Sequence, residues 1–465
     1  MTIDEILKLK DTTEIIKALK QKSVQVPVWS GKNGLQSEYD PTQHPVMNKA
    51  KYPDIVTDEG VQPVTRITCN LQQLATKRIT ELITGVPIKR VYSPENEKQK
   101  EIAKYIEAIY NRNRINSINT ERFNMLFASC EVITLWYAVE QPNTQYGFKS
   151  PLKFRCKNFS PMQGDSLYPL FDEFGDLIAL SIGYTRTENG KQLQFFDTYT
   201  STQHIKWQLQ QGQWEEIQNE KITLGKIPAV YTYRPTPIWE DTSKTVYEIE
   251  WALSRNGNYL RENSKPLFVV FADNQIQYGD EGDPNKEFKS VMQYPQGSNA
   301  QYITWTQAVD NLKFYVEQLR SLFFTQLQLP DWSYDKMSQQ ALSGESRKQM
   351  FIDAQLKVKD ESGRLLEFLD REINVIKAFL IAALDESYKD DIEALQVETQ
   401  ITPFTISDDK DTINNLITAN GGKPIISQRE AIALYGKSDD VDKTLQEIAE
   451  QQENMDDIFK QQPAQ

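Results

Sequence analysis

Cysteine and histidine are scarce: three and two respectively in 465 residues. Cys69, Cys130 and Cys156 are odd in number and far apart, which excludes a disulfide framework or a paired thiolate metal site and fits a reducing cytoplasm. His44 and His204 lie in unlike segments with no ligand-spaced cysteine or carboxylate, so neither a zinc site nor a histidine-based triad is expected. Long apolar runs are missing as well. "LFVVFA" (267–272) and "AFLIAAL" (378–384) fall far short of the roughly 20 residues that span a bilayer, and "MTIDEILKLKDTTEIIKALK" has no signal-peptide core. That segment reads as an amphipathic packing helix. A surplus of positive charge is absent too. Lys plus Arg number 52 against 65 Asp plus Glu, a net charge of -13, which disfavours a tight, sequence-independent nucleic-acid binder.

Chemical motifs are equally thin. "ALSGESRKQMF" (341–351) has one glycine and no Lys-Ser/Thr pair, so it is not a nucleotide loop. The acidic "GDEGD" (279–283) lacks a calcium-loop ladder and reads as a solvated turn. Asp408, Asp409 and Asp411 could hold magnesium for a nuclease or phosphotransferase, but directly before "TINNLI" they read as a helix cap. Trp305, Trp332 and Tyr334 could stack on bases, yet nothing basic surrounds them and packing is the simpler reading. No cofactor, metal or catalytic residue is expected.

What is present is a long, ordered alternation of periods. The length allows two to four domains. "ITCNLQQLATKRITELIT" (67–84) has helical spacing and stops at Gly85, with Pro87 beyond; helices over roughly 94–114 and 116–130 follow. "EVITLWYAVE" (131–140) reads as a strand. From 151 to 233 the pattern is a β-meander with turns at Asn189-Gly190 and Gly212, one face covered by the earlier helices. The first half is therefore α+β.

After "YRPTPIWED" (233–241), Val246, Ile249, Leu253, Asn256 and Leu260 form a narrow helical seam, repeated by Val309, Leu312, Val316, Leu319 and Phe323 behind a Thr304-to-Gln307 capping box. Between them, 265–304 break into short strands around "YGDEGDPNKE". A narrow seam either folds back on its own domain as an antiparallel hairpin or is completed by neighbouring copies. A loop then leads to a helix from about Arg347 to Leu384, which Ser346 and Gln349 cap and in which Ser362-Gly363 could introduce a bend. The tail gives a strand and then three short helices, the first two separated by Gly421-Gly422 and Pro424 and the second capped by Ser427 with Glu430.

This order resembles the portal proteins of tailed double-stranded-DNA bacteriophages, of the SPP1-type family, over about residues 60–450. "TELITGVPIKR" (80–90) is similar to the family's helix-then-Gly-x-Pro segment, and "LGKIPAVYTYRPTP" (224–237) to its Gly-x-Pro-Val strand before the stem. "SKTVYEIEWALSRNGNYLRENSK" is similar to the first stem helix, "ALSGESRKQMF" to the turn opening the tunnel helix, and "GGKPIISQREAIALYGKSDDVDKTLQEIAEQQE" to the closing pattern. The crown is short, and Glu345-Ser346 replace the usual Ala after Ser-Gly.

The resemblance implies an α+β fold with a wing (1–242), stem helices (243–264 and 305–327), a small α/β clip (265–304), a tunnel loop (328–345), a long tunnel helix with return strand (346–399) and a helical crown with tail (400–465). It implies a non-enzymatic ring, typically of twelve subunits, at one capsid vertex of a virion assembled in the host cytoplasm. Partners would be passing double-stranded DNA, the terminase large subunit, capsid and scaffolding proteins and head-completion adaptors, with no membrane. Asp331, Trp332, Ser333, Lys336, Gln339, Gln340, Arg347 and Lys348 would face DNA. The two seams, from Val246 to Leu260 and from Val309 to Phe323, would pack subunits, and Tyr278, Asp280, Glu281, Asp283 and Lys286 of the clip would bind partners. A head-tail adaptor or other ring component of the virion is the alternative.

Overall fold

A computed structural model describes residues 3–58, 60–263, 267–271, 299–303, 309–331, 351–404, 427–435 and 441–460. They belong to two compact units, one of Met1–Lys336 with Ile352–Phe404, the other of Met337–Phe351 with Thr405–Gln465.

In the larger unit the amphipathic N-terminus is two helices, α1 (Ile3–Leu7) and α2 (Thr12–Leu19). Asp11 divides them, because its carboxylate accepts the Thr13 N–H at 2.8 Å and so starts a new helix. A turn of helix, α3 (Gln36–Tyr39), and an exposed hairpin, β1 (Ile55–Thr57) with β2 (Gly60–Gln62), follow. α4 runs from Leu71 to Thr84, not from Ile67. The helical spacing of 67–70 is overridden because those residues are held extended by hydrogen bonds described below. β3 (Lys89–Ser93), which has no clear sequence signal, is followed by α5 (Glu97–Arg112) and α6 (Ile115–Ser129).

The expected single meander is two antiparallel sheets. β4 (Glu131–Asn143) lies between β5 (Ser150–Phe159) and β11 (Ala229–Tyr233). The other sheet runs β10 (Gln213–Lys221), β9 (Gln203–Gln210), β8 (Lys191–Tyr199), β7 (Leu177–Glu188), β6 (Ser166–Phe171). Asn189 and Gly190 (φ 50° and 76°) make the β7–β8 turn, and Gln211 and Gly212 (φ 50° and 84°) the β9–β10 turn, the paired positive φ that two-residue hairpins require. Ile133 and Leu135 meet Leu167, Leu180 and Ile182 in one core shared by the two sheets. The five-stranded sheet is covered by α1 and α2, whose Ile6, Ile15, Ile16 and Leu19 bury Phe196, Ile205 and Trp207. α6 packs instead on β4. The cover expected from the earlier helices is thus divided: the chain's first twenty residues cover the five-stranded sheet, and α6 lies on the sheet that contains β5 and β11.

α7 (Ser243–Asn263) and α8 (Val309–Gln326) flank a small antiparallel ladder, β12 (Leu267–Phe271) with β13 (Asn299–Ile303). α9 (Ile352–Ala383) is one continuous helix that buries Leu365, Leu369, Ile373, Ile376 and Leu380. It also carries Glu372, 1 % exposed, which accepts from Arg122 Nη2 at 2.9 Å and Trp136 Nε1 at 3.0 Å. A short α10 (Lys389–Ala394) leads to β14 (Gln396–Gln400), the expected return strand, paired with β3.

In the smaller unit, Ser427 and Glu430 form the expected reciprocal capping box at the start of α11 (Gln428–Tyr435). α12 (Val441–Lys460) is twenty residues, longer than the short helix expected. The Thr304–Gln307 and Ser346–Gln349 caps, Asp408, Asp409, Asp411, Gly421-Gly422, Trp305 and Tyr334 lie outside the described residues.

Candidate functional site

The paired helices α7 and α8 are rooted in the larger unit by polar contacts. Residues 65–69 run extended along α7. The Cys69 N–H donates to Glu250 Oε1 at 2.7 Å, Ile67 N–H to Ser254 Oγ at 2.8 Å, and Thr65 N–H to Asn258 Oδ1. Alternate extended residues advance about 6.6 Å and four helical residues about 6 Å. Side chains at i, i+4 and i+8 therefore meet every second amide.

Gly257 lets the strap approach, since a Cβ there would sit 2.8 Å from Thr65 Cγ2. His44, wholly buried, bonds Glu250 Oε1 at 2.6 Å through Nδ1 and the Glu38 carbonyl at 2.8 Å through Nε2. Burial opposes the charged ring, but the bonds to Glu250 and Glu38 and the Glu250 and Asp40 charges outweigh it, and the His44 pKa stands above its ordinary value.

α8 is rooted by arginines. Asp331, just past its end, accepts from Arg320 Nη2 at 3.1 Å and lies 3.8 Å from Arg78 Nη1 of α4. Arg78 also donates to the Pro330 carbonyl and lies over Phe324 at 4.8 Å. Burial lowers the Arg78 pKa, and the Asp331 charge opposes that fall. Burial pushes the thiols of Cys69, Cys130 and Cys156 up to about 11, 12 and 12.

Of the seam residues, Val246, Ile249 and Phe323 are buried, and Leu253, Leu312, Val316 and Leu319 are half-buried. Leu260 is 50 % exposed. Val309 opens α8, and its side chain is not among those described. A second apolar face of α8, unsignalled by the seam, stands in solvent: Phe314 is 64 % and Leu322 45 % exposed. Tyr315 beside them donates to Glu248 Oε1 of α7 at 3.1 Å.

Of the expected DNA-facing set only Asp331 is described, with Trp332, Ser333, Lys336, Gln339, Gln340, Arg347 and Lys348 outside the described residues. Tyr278, Asp280, Glu281, Asp283 and Lys286 lie outside them too. Sequence reading missed the Glu250, Ser254 and Asn258 ladder. Its signal was there: polar residues repeated every fourth position beside the apolar seam, with Gly257 among them. Among the described residues no group of three or more metal-ligating side chains occurs and no helix is long and apolar enough to cross a membrane.

The family described as "Phage portal protein, SPP1 Gp6-like" matches residues 30–457. No curated protein matches the chain. Among solved structures, "Neck of empty GTA particle computed with C6 symmetry" is 11% identical, covers 88% of this chain and 95% of its own, and has a TM-score of 0.40. "Virion of native gene transfer agent (GTA) particle" is 9% identical, with 91% and 98% covered and a TM-score of 0.37. "Neck of native GTA particle computed with C12 symmetry" is 10% identical, with the same coverages and a TM-score of 0.39.

Proposed function

This chain belongs to the SPP1 Gp6-like phage portal family, and from that premise we propose that its copies close into a ring, of twelve subunits, at one capsid vertex. The ring is the channel through which DNA is packaged and ejected and the platform on which terminase and head-tail connector proteins dock. It works as a structural element, without catalysis. The observation that carries the ring is the solvated apolar face of α8, with Phe314 and Leu322 exposed beside a seam that its own chain covers only in part. Such a face on a rooted helix pair is stabilised when a neighbour buries it, and identical head-to-tail contacts close by rotation.

The net charge of -13 supports the channel role. A wall rich in Lys and Arg would bind phosphate, release counterions and hold the DNA still. Trp332, Ser333, Lys336, Gln339 and Gln340 then touch DNA only in passing, with Arg347 and Lys348 as the few cations near phosphate. Asp331 stays at the base of that loop, neutralising Arg320 and Arg78.

The test is to delete residues 332–340, leaving Asp331 in place, and to follow particle assembly. Rings form and capsids remain unfilled. Capsids filled to the normal DNA length would take the loop out of the mechanism.

A further inference from the structure

α8 carries a ridge and α7 a groove of opposite character. On the ridge, Asp310, Phe314, Glu317 and Ser321 recur at i, i+4, i+7 and i+11 and so share one helix face. Asp310, Phe314 and Glu317 are all exposed. The groove, of about 430 Å³, lies between α7 and the segment 45–51. Its apolar lining is Pro45, Val46, Tyr247 and Trp251, and Lys51 and Lys244 stand exposed at its rim, with Glu248 on the α8 side. His44 packs edge-on against Tyr247 at 5.2 Å and Tyr52 lies 4.8 Å from Trp251, so the walls are fixed before anything binds. Trp251 remains 36 % exposed.

We infer that the acidic, Phe314-bearing ridge of one copy seats in the basic, aromatic groove of the next. The inference rests on the ring reading and names the surfaces that meet in it. Three observations select a second copy as occupant. The charges are complementary, Asp310 and Glu317 against Lys51 and Lys244. The apolar elements are complementary in form, a single protruding ring against a walled depression. And ridge and groove lie at one level of the stem, because Tyr315, next to Phe314, bonds Glu248 at the groove's edge within each chain. Subunits related by rotation about a ring axis meet at equal heights, so two different patches at one level are what a heterologous, closing contact requires. A Phe entering a pre-walled pocket between charges is the usual anatomy of an interface anchor.

The experiment places one cysteine on each surface, Lys244→Cys and Glu317→Cys, and adds a short bis-maleimide to the purified full chain, with electron microscopy of the same sample. The unmodified chain, in which Cys130 is buried and Cys69 and Cys156 are half-buried, is the control and gives the background of crosslinking through its own thiols. The double variant gives a ladder of covalent multimers on a denaturing gel. Each single variant alone gives monomer, and the two single variants mixed before assembly give dimers. Rings seen without a ladder would overturn the ridge-and-groove contact and leave the ring reading standing. Dimers from a single variant alone would show like-to-like packing and also overturn it. No rings and no ladder would remove both.

As a second measure that needs no crosslink, Phe314→Asp lowers the fraction of chain in rings at least about tenfold, because a charge cannot be buried unpaired in that pocket. Lys191→Ala, exposed at the β7–β8 turn and outside both surfaces, leaves the fraction unchanged. Equal ring fractions for Phe314→Asp and the parent chain would contradict the assignment.

Discussion

Replacing Glu250 with alanine tests whether the stem is fixed to the body by its polar ladder. Glu250 is wholly buried and accepts from both the Cys69 N–H and the His44 ring. Removing the carboxylate strands two buried donors at about 1–3 kcal/mol each, and breaking a buried pair by deleting one partner costs about 3–5 kcal/mol. The expected loss is therefore about 3–5 kcal/mol in urea unfolding followed by tryptophan fluorescence.

The pH dependence has a fixed sign. The folded-state pKa of His44 is raised, so its contribution is fully present below the unfolded value of about 6.5 and is lost as pH rises through the folded value. The gap between parent and Glu250→Ala is accordingly wider at pH 6 than at pH 9. A cost below about 1 kcal/mol, or a gap that widens with pH, would refute the reasoning. A double-mutant cycle with His44→Ala isolates the pair, and its coupling should exceed about 1 kcal/mol.

Gly257→Ala forces a Cβ to within 2.8 Å of Thr65 Cγ2 and should destabilise by about 1–3 kcal/mol; Thr65→Ser, which removes that methyl, should restore much of the loss, and an equal cost in both backgrounds would place the strain elsewhere. Gly363, inside α9, has open space where a Cβ would go, so Gly363→Ala should stabilise the folded chain by about 1 kcal/mol in thermal unfolding. Destabilisation there would mean that the helix needs the glycine to bend.

The sequence was readable where local chemistry decides the outcome. Asn189-Gly190 dictates its hairpin because few residues other than glycine and asparagine accept positive φ, and Ser427 with Glu430 writes its own cap. It misled where a distant partner overrides propensity. Ile67 to Cys69 has helical spacing yet lies extended, because Glu250, Ser254 and Asn258 take its amides. β3 was missed because its partner among the described residues, β14, lies some three hundred residues later in the chain. The division of the meander into two sheets follows from β11 returning to β4, a long-range pairing with no sequence-local trace. The apolar seams were legible as seams, but not which of their residues stay solvated: Leu260 looks like a core residue until the neighbouring elements are in place, and the exposed Phe314 belongs to neither seam.

The most direct check of the central proposal is the native mass of the purified chain over a hundredfold range of concentration. The account predicts a closed ring, twelve times the 53.8 kDa subunit mass, and its loss on Phe314→Asp. A particle that stays at the mass of one chain throughout would contradict it.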